Sequence, residues 1–252
     1  MDASAERPPA DESHIVDVEL PLGFARTLCA LPEPAAWVVV GAVAVMLRLG
    51  FAHRRTSDID ILATSQSEFI RTLILHGAVA TSGVHHSVSY CGVAVETIDL
   101  LRFDEHSPKS DPLHLAVRHF LLRSRSWLTI AAEDDTPGNV PVASLAGMVA
   151  LKAVSLETRR PRMLAKIAAD VFDLTVLASS SPPALLADGF AEGDPFVTKG
   201  VAAILLRHFS PTSGSTAAPN RVRELLPRVT SDSFEAVEEL ARLLDFRGAG
   251  TP

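Results

Sequence analysis

Two aspartates separated by one apolar residue are the part of this chain best suited to chemistry. They are Asp58 and Asp60, in the segment TSDIDIL. In a β-strand, residues two apart project from the same face, so the two carboxylates would lie side by side while Ile59 and Ile61 face the core. Adjacent anions repel unless a cation lies between them, and hard oxygen ligands at this spacing suit Mg²⁺. The pattern indicates a magnesium site, and the alternative is the solvated face of an edge strand.

A third acidic group for such a site is expected in the segment VETIDLL, residues 95–101. Asp99 lies between two apolar residues and so repeats the pattern of the aspartate pair. Glu96 is three residues away and is therefore predicted to point to the opposite face. Because a site with two metal ions usually needs a third carboxylate, we expect Asp99 to supply it. The alternative is that Asp99 is an ordinary surface acid.

A candidate phosphate-binding turn precedes the aspartate pair. Gly41 and Ala42 join a short apolar strand to a helix that Gly50 closes. The first N–H groups of a helix have no partner within it and bind phosphate well. Arg55 and Thr56, between this helix and the acids, are expected to meet further phosphate charge. The segment is thus predicted to hold a triphosphate at one end and its metal ions at the other.

The elements that must position these residues follow from periodicity and from the distribution of proline and glycine. The first half alternates between strands and helices, whereas the second half is helical, so the predicted fold class is α+β, with a mixed sheet and flanking helices followed by an all-α region. We expect a disordered lead-in at 1–14, an α/β domain at 15–140 and a helical domain at 141–252. The predicted strands are 37–40, 57–63, 78–82, 87–91, 93–101 and 126–130, and the predicted helices are 14–31, 43–49, 65–76, 144–156, 161–178, 195–209, 220–226 and 231–246.

Composition narrows the function classes. The 252-residue chain has a formal net charge of -7, which argues against coating nucleic acid over the whole surface but leaves room for local basic patches. Apolar runs fall short of the roughly 18 to 20 residues that span a bilayer, and the N-terminus lacks the apolar core of an export signal. We therefore expect a soluble, cytoplasmic protein without a membrane partner.

The first motif resembles the signature of polymerase-β-type nucleotidyltransferases, and more narrowly that of the AbiEii and MenT type of toxin from type IV toxin-antitoxin systems. The residues that carry the resemblance are Gly41, Ala44, Arg55, Thr56, Asp58 and Asp60. The chain departs from the family at Ala42, where Gly-Ser or Gly-Gly is common. A serine hydroxyl would bond a terminal phosphate, whereas Ala42 offers only its backbone N–H.

The resemblance implies a mixed sheet of the nucleotidyltransferase type, and it also implies roles for residues in the helical half. Lys152 matches the family's lysine on the corresponding helix and is expected to contact phosphate; a lysine on so apolar a helix must snorkel or meet an anion. Lys166, Asp170 and Asp173 fall on one helical face. Alone they would be an ordinary solvated face, but the family pattern K/R-D-x-x-D-L implies that Asp170 or Asp173 acts against the nucleotide, with Lys166 as a nucleotide-binding residue.

By this resemblance the chain transfers a nucleoside monophosphate from an NTP to an acceptor hydroxyl, with two Mg²⁺ ions, or Mn²⁺, held by Asp58, Asp60 and Asp99. The implied acceptor is the 3′ end of tRNA, the implied outcome is growth inhibition, and a cognate antitoxin is a possible partner protein. Two basic clusters fit an RNA backbone, at 118–125 and 159–166. The alternatives are transfer to a small molecule such as an aminoglycoside, and a non-catalytic nucleotide-binding module.

Overall fold

A computed structural model gives the fold of the chain. The residues that it describes are 16, 18–32, 37–81, 86–100, 111–132, 134, 136–160, 162–191, 193–212, 214, 217–226 and 231–248, except for the side chain of Asp99. They divide into two compact units. The first takes its residues from 1–106 and 121–144, and the second from 107–120 and 145–252. The predicted lead-in at 1–14 lies outside the described residues.

The first unit is built on a mixed seven-stranded sheet in the order β3-β4-β5-β2-β1-β7-β6. Two of the neighbouring pairs are parallel, β5 with β2 and β1 with β7, and the other pairs are antiparallel. The central strands are rich in valine and isoleucine, and β1 is buried along its whole length. The strands are β1 (Trp37–Val40), β2 (Asp58–Ala63), β3 (Val79–Ala80), β4 (Ser87–Tyr90), β5 (Val93–Asp99), β6 (Ser126–Ala131) and β7 (Pro137–Val142).

Helices flank this sheet: α1 (Phe24–Ala30), α2 (Gly41–Leu49) and α3 (Gln66–Leu75). The helix α2 follows β1 without a connecting loop and ends at Gly50, which adopts the left-handed conformation and donates its N–H to the Met46 carbonyl at 2.9 Å. Arg48, on the last turn of α2, donates to the backbone carbonyls of Val142 and Ala143 at the end of β7. These bonds tie the last turn of α2 to the end of β7.

The second unit is helical. Its members are most of α4 (Pro112–Arg123), α5 (Leu145–Thr158), α6 (Leu164–Ser180), α7 (Pro183–Asp188), α8 (Pro195–Phe209), α9 (Ala218–Val222) with a 3-10 turn at Arg223–Leu225, and α10 (Ser231–Gly248). The division between the units falls within α4. The start of helix α8 is fixed by its local sequence: Asp194 caps the helix by accepting the Phe196 N–H at 2.9 Å, and proline occupies the first helical position.

The predicted fold class is confirmed at the level of an α+β protein with a mixed sheet flanked by helices. Several elements differ from prediction: α1 begins only at Phe24, after Gly23 takes a left-handed φ of 81°, and β3 is shorter than predicted. The sequence pattern did not predict α4, β7 or α7. None of the helices in the described part of the chain has the combined length and apolar character needed to cross a bilayer.

Candidate functional site

Three carboxylates from two neighbouring strands meet on one face of the sheet in the first unit. Asp58 and Asp60 project from β2, and β5 runs parallel to β2 with Asp60 opposite Glu96. Residues opposite each other in a sheet lie on the same face. One oxygen from each of Asp58, Asp60 and Glu96 lies within 4.8 Å of the other two. The register of β5 therefore assembles an acidic triad from residues that are far apart in sequence.

The triad is suited to a divalent cation. Two of its members are half-buried and Glu96 is exposed, so solvent reaches the group. Three negative charges this close together repel one another, and a cation bound among them would offset that repulsion. All donors are hard oxygens, which Mg²⁺, Ca²⁺ and Mn²⁺ prefer over softer ligands. The donor set thus fits the magnesium predicted from the sequence, with Glu96 as an unpredicted member.

Thr56 orients the first of these carboxylates. Its hydroxyl Oγ1 donates to Asp58 Oδ1 at 3.1 Å, and the Ser57 hydroxyl lies 3.4 Å from the same oxygen. Such hydrogen bonds fix the rotamer of a carboxylate and leave its second oxygen, Oδ2, for other partners. The sequence-based assignment of Thr56 to nucleotide binding stays a prediction; in the structure its hydroxyl contacts a triad member.

Gly41 lies against Asp60 at the start of α2. Its φ is 71°, a left-handed conformation that L-residues avoid. A Cβ at this position would lie 2.9 Å from the Asp60 Cβ and would overlap the carboxylate itself. Glycine is therefore required twice, once by the backbone conformation and once by the approach of Asp60. The same contact brings the N-terminus of α2 and its backbone dipole beside the triad.

The other residues predicted at the phosphate end occupy different environments. Ala42 is 1% exposed and has no polar side-chain atom, so its side chain offers a ligand no hydrogen bond. The N-terminal residue of α2 has no side-chain cap, and the first turn carries no acidic residue. Arg55 is exposed on the loop before β2, where its carbonyl accepts from Arg54 Nη1 at 3.2 Å. The guanidinium of Arg55 is thus on the surface of the same unit.

The structure places Glu96 beside the two aspartates, whereas the sequence predicted Asp99 as the third carboxylate of the site. Glu96 was predicted to face away from the aspartates, and that prediction is wrong, because β5 pairs in a register that sets Glu96 opposite Asp60. Asp99 pairs with Ala63 through the backbone, and its side chain lies outside the described residues. Its assignment as a metal ligand stays a prediction. Val93 and Val95 are buried, so the alternation along β5 places Glu96 on the face opposite to these valines, which is the face that it shares with Asp60.

Predicted site residues of the helical half form a buried ionic cluster within the second unit. Lys152 Nζ on α5 lies 3.2 Å from Asp170 Oδ1 and 2.6 Å from Asp173 Oδ2, both on α6. Arg159 Nε lies 2.9 Å from the other oxygen of Asp170. The exposed fractions of Lys152, Asp170 and Asp173 are 6%, 1% and 0%. Two cations and two anions compensate one another here, so Lys152 meets carboxylates of its own unit. The expected contact of Lys152 with phosphate stays a prediction.

Lys166 belongs to a different environment from the two aspartates with which it was grouped. It is exposed at the start of α6, whereas Asp170 and Asp173 are buried. The alternative that all three form a solvated face is therefore wrong, because α5 covers the two acids with Lys152. The exposed cations of the second predicted basic cluster are Arg160, Arg162 and Lys166, and in the first cluster Arg123 is exposed.

His114, on the first turns of α4, is the other strongly perturbed group of the second unit. Burial, together with the positive charges of Arg118 and Arg159, lowers its pKa from 6.5 to about 4, and Asp111 partly opposes this shift. The imidazole is therefore neutral at pH 7, although it lies among cations. No signal in the sequence marked this histidine.

No model of a known protein family matches the sequence, and no curated protein matches it.

Proposed function

We propose that this protein is a divalent-cation-dependent nucleotidyltransferase that moves a nucleoside monophosphate from an NTP to an acceptor hydroxyl. The observation that supports the proposal most is the triad of Asp58, Asp60 and Glu96 beside the N-terminus of α2. A cation site adjoining a helix N-terminus suits a triphosphate, which carries negative charge along its length. The resemblance of the Gly41 to Asp60 segment to polymerase-β-type nucleotidyltransferases favours the same conclusion.

In this proposal each residue of the first unit has a defined task. Asp58, Asp60 and Glu96 hold the cations, with Asp99 as the further ligand proposed from the sequence. Thr56 keeps Asp58 oriented. A Mg²⁺ ion held by these carboxylates would neutralise phosphate charge and would lower the pKa of the acceptor hydroxyl. The backbone N–H groups after Gly41 and the Arg55 guanidinium stabilise negative charge on the departing group.

The reaction is a substitution at the α-phosphorus of the NTP. The acceptor oxygen forms a bond to this phosphorus, and the bond from the phosphorus to the bridging oxygen of the β-phosphate breaks. The electron pair of the broken bond leaves with pyrophosphate, and the proton of the acceptor hydroxyl passes to a carboxylate or to water. The chain itself therefore needs acceptors for a proton and donors for pyrophosphate, and it offers both in the first unit.

RNA is the acceptor that the surface favours. The exposed cations Arg160, Arg162 and Lys166 lie within a short stretch of the second unit, in a protein whose total charge is -7. Such a local cluster binds phosphates through release of counterions, so its affinity falls steeply with salt. We propose that the 3′ end of tRNA is the acceptor and that its modification inhibits growth.

A cationic small molecule is the second candidate acceptor. The net charge of -7 supports it, because an acidic protein attracts a cationic substrate.

The test is transfer from each α-³²P-labelled NTP to total tRNA in the presence of Mg²⁺ or Mn²⁺. The proposal predicts a labelled RNA band with the wild-type protein and none with Asp60→Asn. Asp245→Asn, at an acidic residue of α10, is the matched control and should label normally. Labelling of an aminoglycoside but not RNA would favour the small-molecule acceptor. No turnover of any NTP would leave a nucleotide-binding module and overturn the proposal.

A further inference from the structure

His208 makes two hydrogen bonds that together require a neutral ring. It lies near the end of α8, with 12% of its side chain exposed. Its Nδ1 accepts the backbone N–H of Ala218 at 3.1 Å, and its Nε2 lies 3.1 Å from Glu157 Oε1. A backbone N–H can only donate, so Nδ1 carries no proton. Nε2 then carries the proton and donates it to the Glu157 carboxylate, which fixes the tautomer.

The partner of Nδ1 is the first residue of α9. Ala218 and Val222 are each 1% exposed, so this short helix is held down by its own apolar side chains as well as by the histidine. Five residues are too few for a helix to be stable alone. The segment before it, from Ser210 to Ala217, is not helical where it is described, so the bond from Ala218 to His208 is a direct link between α9 and α8.

We propose that His208 is a pH-sensitive latch: its neutral imidazole holds the start of α9 against the end of α8, and its protonation releases α9. A proton on Nδ1 would point at the Ala218 N–H, and two donors facing each other cannot bond. Protonation would at the same time strengthen the bond from Nε2 to Glu157, because a neutral donor would become a cation beside a carboxylate. On protonation the ring would therefore keep its bond to Glu157 on α5 and lose its bond to Ala218 on α9.

The surroundings of the ring set where the latch opens. Burial lowers the pKa of His208 below 6.5, Glu157 opposes that shift, and the positive charges of Arg207 on α8 and Arg221 on α9 add to it. Arg207 itself is occupied by Glu157, with Nη1 at 2.8 Å from the same Oε1. The latch is therefore closed at pH 7 and opens only in acid, below the pKa of an ordinary histidine. The inference rests on neither a metal nor a nucleotide.

The latch is tested on the full chain by ¹⁵N NMR of the histidine rings and by amide hydrogen exchange from pH 7.5 to 4.5. The inference predicts an Nε2-protonated tautomer at pH 7.5. As His208 titrates, exchange at the Ala218 N–H, corrected for its intrinsic pH dependence, should rise about tenfold, the effect of one lost hydrogen bond. An Nδ1-protonated tautomer at pH 7.5, or unchanged protection of Ala218 through the titration, would overturn it.

Two variants separate the latch from general acid unfolding. His208→Asn keeps an acceptor near the position of Nδ1 but cannot be protonated in this range, so protection of Ala218 should stay constant with pH. His208→Ala lacks the acceptor, so Ala218 should exchange fast at every pH. The amide of Leu205, in the buried middle of α8, is the internal reference. If Ala218 loses protection in acid in His208→Asn as it does in the wild type, the histidine is not the latch.

Discussion

Replacing Lys152 by methionine removes one charge from the buried ionic cluster and should destabilise the second unit strongly. Lys152 is the cation nearest to Asp173, at 2.6 Å, while Asp170 keeps Arg159 at 2.9 Å. A buried carboxylate that loses its counter-charge costs about 3 to 5 kcal/mol. The cost should lie at the lower end, about 3 kcal/mol, because Asp173 can take up a proton instead of remaining charged.

The coupling between the two residues is measured by a double-mutant cycle. Lys152→Met, Asp173→Asn and the double variant are unfolded in urea, with far-UV circular dichroism as the probe, and the double variant should be more stable than the sum of the single changes predicts by about 2 kcal/mol. Lys166→Met, an exposed lysine at the start of α6, is the control and should change the free energy of unfolding by less than about 0.5 kcal/mol.

An effect of Lys152→Met as small as that of Lys166→Met, with no coupling to Asp173, would refute the buried cluster. That outcome would favour the role implied by the family resemblance alone, in which Lys152 serves a phosphate. A strongly destabilised Lys152→Met that regains stability when Asp173 is also replaced would show that the lysine stabilises the fold by compensating the Asp173 carboxylate, whatever else it contacts.

Three further changes test other parts of the structure. Gly41→Ala introduces a Cβ that overlaps the Asp60 carboxylate at a left-handed backbone position, so Mn²⁺ affinity, measured by calorimetry, should fall by at least about tenfold. The pKa of His114 is about 4 in the folded chain and 6.5 in the unfolded chain, so the free energy of unfolding should fall by about 3 kcal/mol as the pH falls from 6.5 toward 4. His114→Gln should flatten this part of the stability profile, measured by urea unfolding at each pH. Arg48→Met leaves two carbonyls at the end of β7 without their donor and should lower the free energy of unfolding by about 2 to 3 kcal/mol in the same assay.

Local patterns predicted the elements that carry strong signals of their own. The strand Trp37–Val40 and the helix Pro195–Phe209 have the predicted bounds, because an uninterrupted apolar run and an Asp-Pro start are signals that need no tertiary context. The strand β7 was missed because Pro137, Gly138 and Pro141 read as a loop. Its pairing with β1 and β6 outweighs that local preference.

The site was predictable only as far as its members share a strand. Asp58 and Asp60 are two residues apart, so alternation alone places them together. Glu96 joins them through the register of a parallel pair, which no short segment determines. The burial of Asp170 and Asp173 was likewise hidden, since helical periodicity shows that they share a face but not that a lysine from another helix covers it.

The acidic triad is tested most directly by the affinity of the wild-type chain and of Glu96→Gln for Mn²⁺. Binding is measured as the loss of the electron paramagnetic resonance signal of the free ion. We expect the wild type to bind Mn²⁺ and Glu96→Gln to bind it at least about tenfold more weakly, because the variant removes one charged ligand and keeps the side chain's size. Asp99→Asn, measured beside it, shows whether the acid chosen from the sequence also contributes. Equal affinity of the wild type and Glu96→Gln would contradict the assignment of the metal site to Asp58, Asp60 and Glu96.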